Sequence, residues 1–283
     1  MQIVTDSAAD LTASQLEGLP IHYTKLRLTI GGEAFTGTAE EFYQELLKRD
    51  EYPTTSQVSA GEFADLYRSI AKDDPEILSI HISSGLSGTL NSARVGAAMV
   101  PEANVHFWDS MTLSAAMGWQ VQAAGKMAVK GFTLDQILER LGKIRSSVEG
   151  MFSIKEMKYL VHGGRVSHLK GLMAQMLNIK PIIGVSKDTG MYTTVAQDMT
   201  FKRALSHLVG IDKDLFAGQG PLRVQMVHGW NPEGVEFLQK KAKDELDCAF
   251  DETVAVAPAL GAHTGPSLTG MICGPMSLFS DIL

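Results

Sequence analysis

The feature that most constrains this chain is an apolar run that dissolves into hydroxyls and glycines and then resumes as a helix. Glu76-Ile77-Leu78-Ser79-Ile80-His81-Ile82 reads as a buried strand, Ser83-Ser84-Gly85-Leu86-Ser87-Gly88-Thr89 as a loop, and residues from about 88 to 100, with Leu90, Val95 and Met99, as a helix. A strand that ends in such a loop and opens a helix is the repeating unit of a layered α/β fold. It also makes a place for an anion. Free backbone N–H groups and the positive end of the helix dipole point into the loop, and the serine hydroxyls add neutral donors.

The alternation extends on both sides. Strands at 2–5, 26–30, 77–82 and 104–108 alternate with helices at 39–49, 60–71, about 88–100, 111–129 and 133–148. Such βαβ units predict a parallel sheet covered on both faces, an α/β/α first domain over residues 1–155. Pro53-Thr54-Thr55-Ser56-Gln57 reads as a loop. After a strand at 150–154 the pattern changes. A Gly-punctuated turn at 159–167 precedes a short helix at 169–177 and a hairpin of residues 180–185 and 192–196 around Asp188-Thr189-Gly190. Helices at about 200–210 and 232–246 flank a strand at 222–228, and strands at about 252–257 and 269–273 follow. Residues 156–283 therefore predict a mixed-sheet α/β second domain.

The chain of 283 residues is long enough for two cores. Its net charge of −7 argues against nucleic acid as a partner, which needs a basic surface to displace counterions. Two cysteines, Cys248 and Cys273, form no disulfide framework or zinc pattern, which fits a cytoplasmic setting. No signal peptide and no apolar run of about 18 residues is evident, so no transmembrane segment is expected, although transient membrane contact stays open. The 14 methionines suit a core, or the lining of a site for a flexible apolar ligand.

Three hydroxyl-rich stretches stand out: Thr54-Thr55-Ser56, Ser83 to Thr89, and Asp109-Ser110. In an open α/β sheet, loops at the carboxyl ends of the strands gather in one crevice, so Asp6-Ser7, Ser83-Ser84-Gly85 and Asp109-Ser110 should line one edge. Each is also an ordinary helix cap. Gly85-Leu86-Ser87-Gly88 is half of a nucleophile elbow, with Thr89 where the second glycine belongs. A serine esterase using Ser87, with His263 as base and Asp109 or Asp6 as orienting acid, is therefore a rival reading. His263 lies among glycines that permit close backbone approach to a ligand. Arg165, after Gly163-Gly164, suits a bidentate clamp on a carboxylate or phosphate, or equally an interdomain ion pair. Lys202 and Arg203 fit a solvated helix start or a basic patch. No metal-ligand spacing, G-x-G-x-x-G or P-loop is present, so no nucleotide, metal or other cofactor is expected.

Taken in order, Ile3-Val4-Thr5-Asp6-Ser7-Ala8-Ala9-Asp10-Leu11, Pro53-Thr54-Thr55-Ser56-Gln57, Ser83-Ser84-Gly85-Leu86-Ser87-Gly88-Thr89, Gly163-Gly164-Arg165-Val166-Ser167 and Gly261-Ala262-His263-Thr264-Gly265-Pro266 resemble the DegV family over nearly the whole chain. The resemblance implies a bacterial two-domain α/β protein that holds a long-chain fatty acid between its domains. It further implies a ligand-binding subunit of fatty acid kinase, not an enzyme by itself, which presents the carboxylate to a separate ATP-dependent kinase subunit that makes acyl-phosphate for phospholipid synthesis. The family's carboxylate-binding residues map onto Thr55, Ser87 and His263, with Ser84 the alternative within its loop, and the family arginine onto Arg165. Two stretches depart from the family pattern: Ser267-Leu268-Thr269-Gly270, where the pocket floor is expected, and His22-Tyr23-Thr24-Lys25-Leu26-Arg27. Burying about 14 methylenes at ~0.8 kcal/mol each gains near 11 kcal/mol before ordering costs, enough for tight binding with few polar contacts. A binding-only sensor of a small molecule is a third reading.

Overall fold

The computed structural model describes residues 1–49, 51–169 and 179–282. The first half runs β1 (Gln2–Asp6), α1 (Ala13–Leu16), β2 (Ile21–Thr24), β3 (Arg27–Ile30), β4 (Glu33–Ala34), α2 (Ala39–Lys48), β5 (Thr54–Ser56), α3 (Ala60–Ala71), β6 (Glu76–His81), α4 (Thr89–Ala97), β7 (Asn104–Asp109), α5 (Ser114–Val129) and α6 (Leu134–Ser147). The second runs β8 (Glu149–Ser153), α7 (Lys158–His162), β9 (Lys180–Val185), β10 (Tyr192–Asp198), α8 (Phe201–Leu215), β11 (Leu222–His228), α9 (Pro232–Glu245), β12 (Cys248–Phe250), β13 (Val254–Ala255), α10 (Pro258–Thr264) and β14 (Thr269–Pro275).

The first sheet is parallel, in the order β2-β1-β6-β7. Alternate side chains of its strands enter two cores: Ile3, Leu78 and Ile80 pack on the α5 side, and Val4 and Ile77 pack with Phe63 and Tyr67 of α3. The second sheet is mixed. Its order is β10-β9-β8-β14-β11-β12, with β13 also paired to β11, antiparallel up to β11 and parallel beyond it. The predicted α/β class, one parallel and one mixed sheet, is the class observed.

α5 sits where the two sheets meet. Ser114 to Gly125 are buried on every side, as a helix wedged between layers must be. Its polar groups find partners in both halves: Gln120 donates to Ser110 O at 3.1 Å, Trp119 donates to Gln225 of β11 at 2.8 Å, and Arg223 of β11 donates to Gln122 at 2.8 Å.

Several local readings need correction. Thr54–Ser56 is not a loop but a strand, paired antiparallel with β3 in a small three-stranded sheet; its polar, partly exposed residues mask the extended backbone. β2 was not anticipated, because Ile21-His22-Tyr23-Thr24 is a half-buried edge strand with no apolar run. The helix expected from Met111 starts at Ser114, since Met111 and Ser114 both adopt positive φ. His263 and the glycine before it, Gly261, lie on a short helix, α10. The expected turn at 159–167 holds α7 and a 3₁₀ turn at Arg165–His168, and the helix expected at 169–177 falls almost wholly outside the described residues.

Candidate functional site

Because β1, β6 and β7 are parallel and adjacent, their carboxyl ends share one edge, as the strand pattern requires. The three exits do different things there. Asp6, fully buried, is consumed by structure: it accepts from Ala8 N at 2.9 Å, from His81 Nδ1 at 2.9 Å and from Ile82 N at 3.1 Å. Asp109 accepts from the Ser84 hydroxyl at 2.5 Å and from Met111 N at 3.0 Å. Ser83 donates across to Gly190 O at 2.7 Å, in the turn between β9 and β10. Gly85 packs so closely on the backbone of Thr189 and Gly190 that a Cβ would clash.

Beyond this edge lies a cavity of about 290 Å³. Thr55, Ser87, Arg165 and His263 line it together, drawn from β5, the β6–α4 loop, the turn after α7, and α10. Ser84 is not among the lining residues; it is exposed, with its hydroxyl on Asp109. Thr55 Oγ1 and His263 Nε2 are hydrogen-bonded at 2.7 Å. Ser87 Oγ pairs with Thr89 Oγ1 at 2.8 Å and accepts from Thr89 N at 3.2 Å. Arg165 donates to Gly163 O at 2.6 Å and has no carboxylate partner among the described residues, so no interdomain ion pair consumes it there.

Glycines and one amide set this geometry. A side chain at Gly163 would run into His263 Nδ1, and one at Gly88 into Gln57, which is held by its bond to Ser92 Oγ at 2.8 Å. Gly164 adopts φ +73°, which turns the chain so that Arg165 folds back over the cavity. Asp10 ties the start of α5 to the start of α10: it accepts from Ser114 Oγ at 2.5 Å and from Ala257 N at 2.7 Å. Its burial lifts its pKa to about 7 despite those bonds.

The electrostatics are those of a neutral site with one cation. Burial, then the nearby Arg165 and His162, push the His263 pKa down to about 4, so the ring is uncharged at neutral pH. Its Nδ1 is buried without a hydrogen-bond partner. A hydrolase triad is therefore not assembled: Ser87 bonds Thr89, His263 bonds Thr55, and no acid orients His263. Asp6 and Asp109 are engaged elsewhere.

Beside the cavity lies a narrow apolar slot of about 30 Å³. Leu113, Tyr192 and Leu260 line both spaces; deeper in, Phe152, Leu268 and Ile272 contribute. Leu268 belongs to the stretch after Pro266 that departs from the family pattern. Met117 and Met127 of α5 pack in the core. Tyr192 and Leu260 were missed from sequence: one opens a hairpin strand, the other sits on a short helix, and neither position carries a local signal. Gln57 was within a quoted motif, but its role against Gly88 becomes visible only in three dimensions.

Two α/β lobes, joined by a buried helix and enclosing a hydroxyl-lined cavity beside an apolar slot, define a small-molecule-binding class of protein. Residues 1–275 match the family model described as "Uncharacterised protein, DegV family", and the chain belongs to the DegV family. A DegV domain-containing protein of Staphylococcus aureus strain MRSA252 is 33% identical over 274 residues, covering 95% of this chain and 97% of that protein. A counterpart from Deinococcus radiodurans is 28% identical over 276 residues, covering 96% and 95%. Among solved structures, a DegV family protein from Thermus thermophilus, described by its fatty acid binding, superposes with a TM-score of 0.89 at 25% identity over 97% of this chain and 99% of that one. DegV of Bacillus subtilis, described as a fatty acid binding protein, gives 0.87 at 25% identity over 96% and 98%. No helix among the described residues is long and apolar enough to cross a membrane.

Proposed function

We propose that this chain binds a long-chain fatty acid, its carboxylate in the polar cavity and its hydrocarbon in the slot, and presents the carboxylate to a separate ATP-dependent kinase subunit for acyl-phosphate formation. The observation that carries this reading is the adjacency of the two spaces, which share Leu113, Tyr192 and Leu260 as lining. An amphiphile with one acidic head matches that sequence of environments. The fatty acid binding of the Thermus and Bacillus proteins supports it.

Thr55, Ser87 and His263 offer the headgroup neutral donors. A carboxylate buried without hydrogen bonds costs several kcal/mol, and neutral donors satisfy it without quenching the oxygen that would attack a phosphoryl group. The carboxylate itself is then the nucleophile, and this chain supplies position rather than chemistry. Burying the chain in the slot gains roughly 0.8 kcal/mol for each methylene.

Organic extraction of the purified protein followed by mass spectrometry tests the ligand. The expected result is a long-chain fatty acid released, and labelled oleate taken up by the emptied protein; failure of both would remove the reading. The kinase step is tested by adding a bacterial fatty acid kinase subunit and ATP. Acyl-phosphate should form only with both proteins present and fall at least tenfold in Ser87→Ala and His263→Ala.

A further inference from the structure

Tyr192 stands in the cavity wall with a polar group that no structural role among the described residues consumes, although the residue is only 4% exposed. Its ring packs edge-on against Phe152 at 5.7 Å and forms part of the slot. Its hydroxyl makes no hydrogen bond to any described residue, and a buried phenol ordinarily finds a partner. The slot is lined almost wholly by carbon, and the phenol lies within the electrostatic reach of Arg165. Tyr192 lines both spaces, and Arg165 stands on the same cavity wall. The placement is built in: Ser83 grips Gly190 O at 2.7 Å, two residues before Tyr192, so the turn that carries the phenol is fastened to the Ser83–Thr89 loop. Tyr192 also pairs with Val185 at the start of the β9–β10 ladder.

We propose that Tyr192 is a headgroup-binding residue: a neutral phenol donor at the neck between cavity and slot that, together with Arg165, completes the hydrogen bonding of a long-chain carboxylate and sets how deep it sits. The inference rests on the fatty acid reading above and goes further in assigning a discriminating residue. A carboxylate presents about four lone-pair sites. Thr55 and His263 already spend one bond on each other and Ser87 one on Thr89, so a donor with no other partner fills a real deficit. Burial pushes the phenol pKa upward, which keeps its proton in place. An ester carbonyl accepts the phenol's hydrogen bond more weakly than an anionic carboxylate oxygen does, so Tyr192 favours the carboxylate over its ester.

The test uses the full-length, delipidated protein titrated with sodium oleate and with methyl oleate. If the wild type binds no oleate, the fatty acid reading itself fails, irrespective of Tyr192. If it does bind, Tyr192→Phe, which deletes only the oxygen, is expected to weaken oleate about tenfold and leave methyl oleate and the melting temperature unchanged. Tyr192→Met, which fills the neck without a hydroxyl, should show the same headgroup-selective loss. Unchanged oleate affinity in Tyr192→Phe overturns the proposal. Equal weakening of acid and ester, or failure of both variants to fold, makes Tyr192 a packing residue and overturns it as well.

Discussion

Two histidine clusters, each with hydroxyl side chains around the ring, sit at opposite extremes in this molecule. In the first, Tyr67, Ser79, His81 and Asp6 form a continuous chain at 2.7, 2.7 and 2.9 Å, with Ser79, His81 and Asp6 wholly buried. It carries the serine–histidine–aspartate order of a hydrolase, yet no substrate can reach it. It serves to tie β6 to β1 and, through Ile82 N, to start the loop that bears Ser87. In the second, Thr55 and His263 form a single pair, Ser87 turns to its neighbour, and His263 Nδ1, Arg165 and Tyr192 keep capacity in hand. What separates structure from site is which polar groups are left unspent beside a cavity, not which residues are present.

Predictions that would break or sharpen this contrast run from large to small. Asp6→Ala removes the acceptor of three buried donors and should cost on the order of 3–5 kcal/mol in denaturant unfolding, whereas His263→Ala should cost under about 1 kcal/mol and act on ligand affinity; similar losses in both would erase the distinction. Gly163→Ala should push the His263 ring from its seat, and oleate affinity should fall by about tenfold or more while the far-ultraviolet spectrum is kept.

Asp212 offers a third arrangement, closed like the first cluster and unspent like the second. It is buried in α8 with neither carboxyl oxygen hydrogen-bonded, and burial, reinforced by Glu149, raises its pKa well above the usual carboxylate range. A group whose folded pKa is raised favours the fold while protonated, and that advantage is lost as pH climbs from the unfolded value toward the folded one. Asp212→Asn should therefore stabilise the protein at pH 8 by roughly 1–3 kcal/mol and flatten its stability–pH curve. An unchanged curve would mean that Asp212 finds a partner after all.

The smallest effect concerns acid. With its pKa lowered to about 4, His263 is neutral in the empty protein, while an unfolded histidine titrates near 6.5. Stability from this residue is present above 6.5 and is lost as pH falls toward 4. Thermal scans of the delipidated protein should show a modest decline in that window, absent in His263→Gln.

Much of this was legible before any coordinates. The parallel sheet follows from apolar strands separated by amphipathic helices, and its shared carboxyl edge follows from strand direction alone. Asp6-Ser7, however, reads as a site exit and proves structural, because nothing local reveals that His81, 75 residues away, claims its carboxylate. Ser84 and Ser87 are indistinguishable as hydroxyls in a loop; Asp109 captures the first, and the turn toward α4 aims the second at the cavity.

The chain's own order of residues determined the fold class, the glycine positions that allow close approach, and the five motifs that mark the family, because these depend on local backbone preference and on periodicity. Only the tertiary structure decided which donors remain free, that Tyr192 lines both the polar cavity and the slot, and that Asp10 fastens the start of α10 to the start of α5. Hydrogen-bond capacity is spent between residues far apart in sequence, and the remainder shows only when every partner is in place.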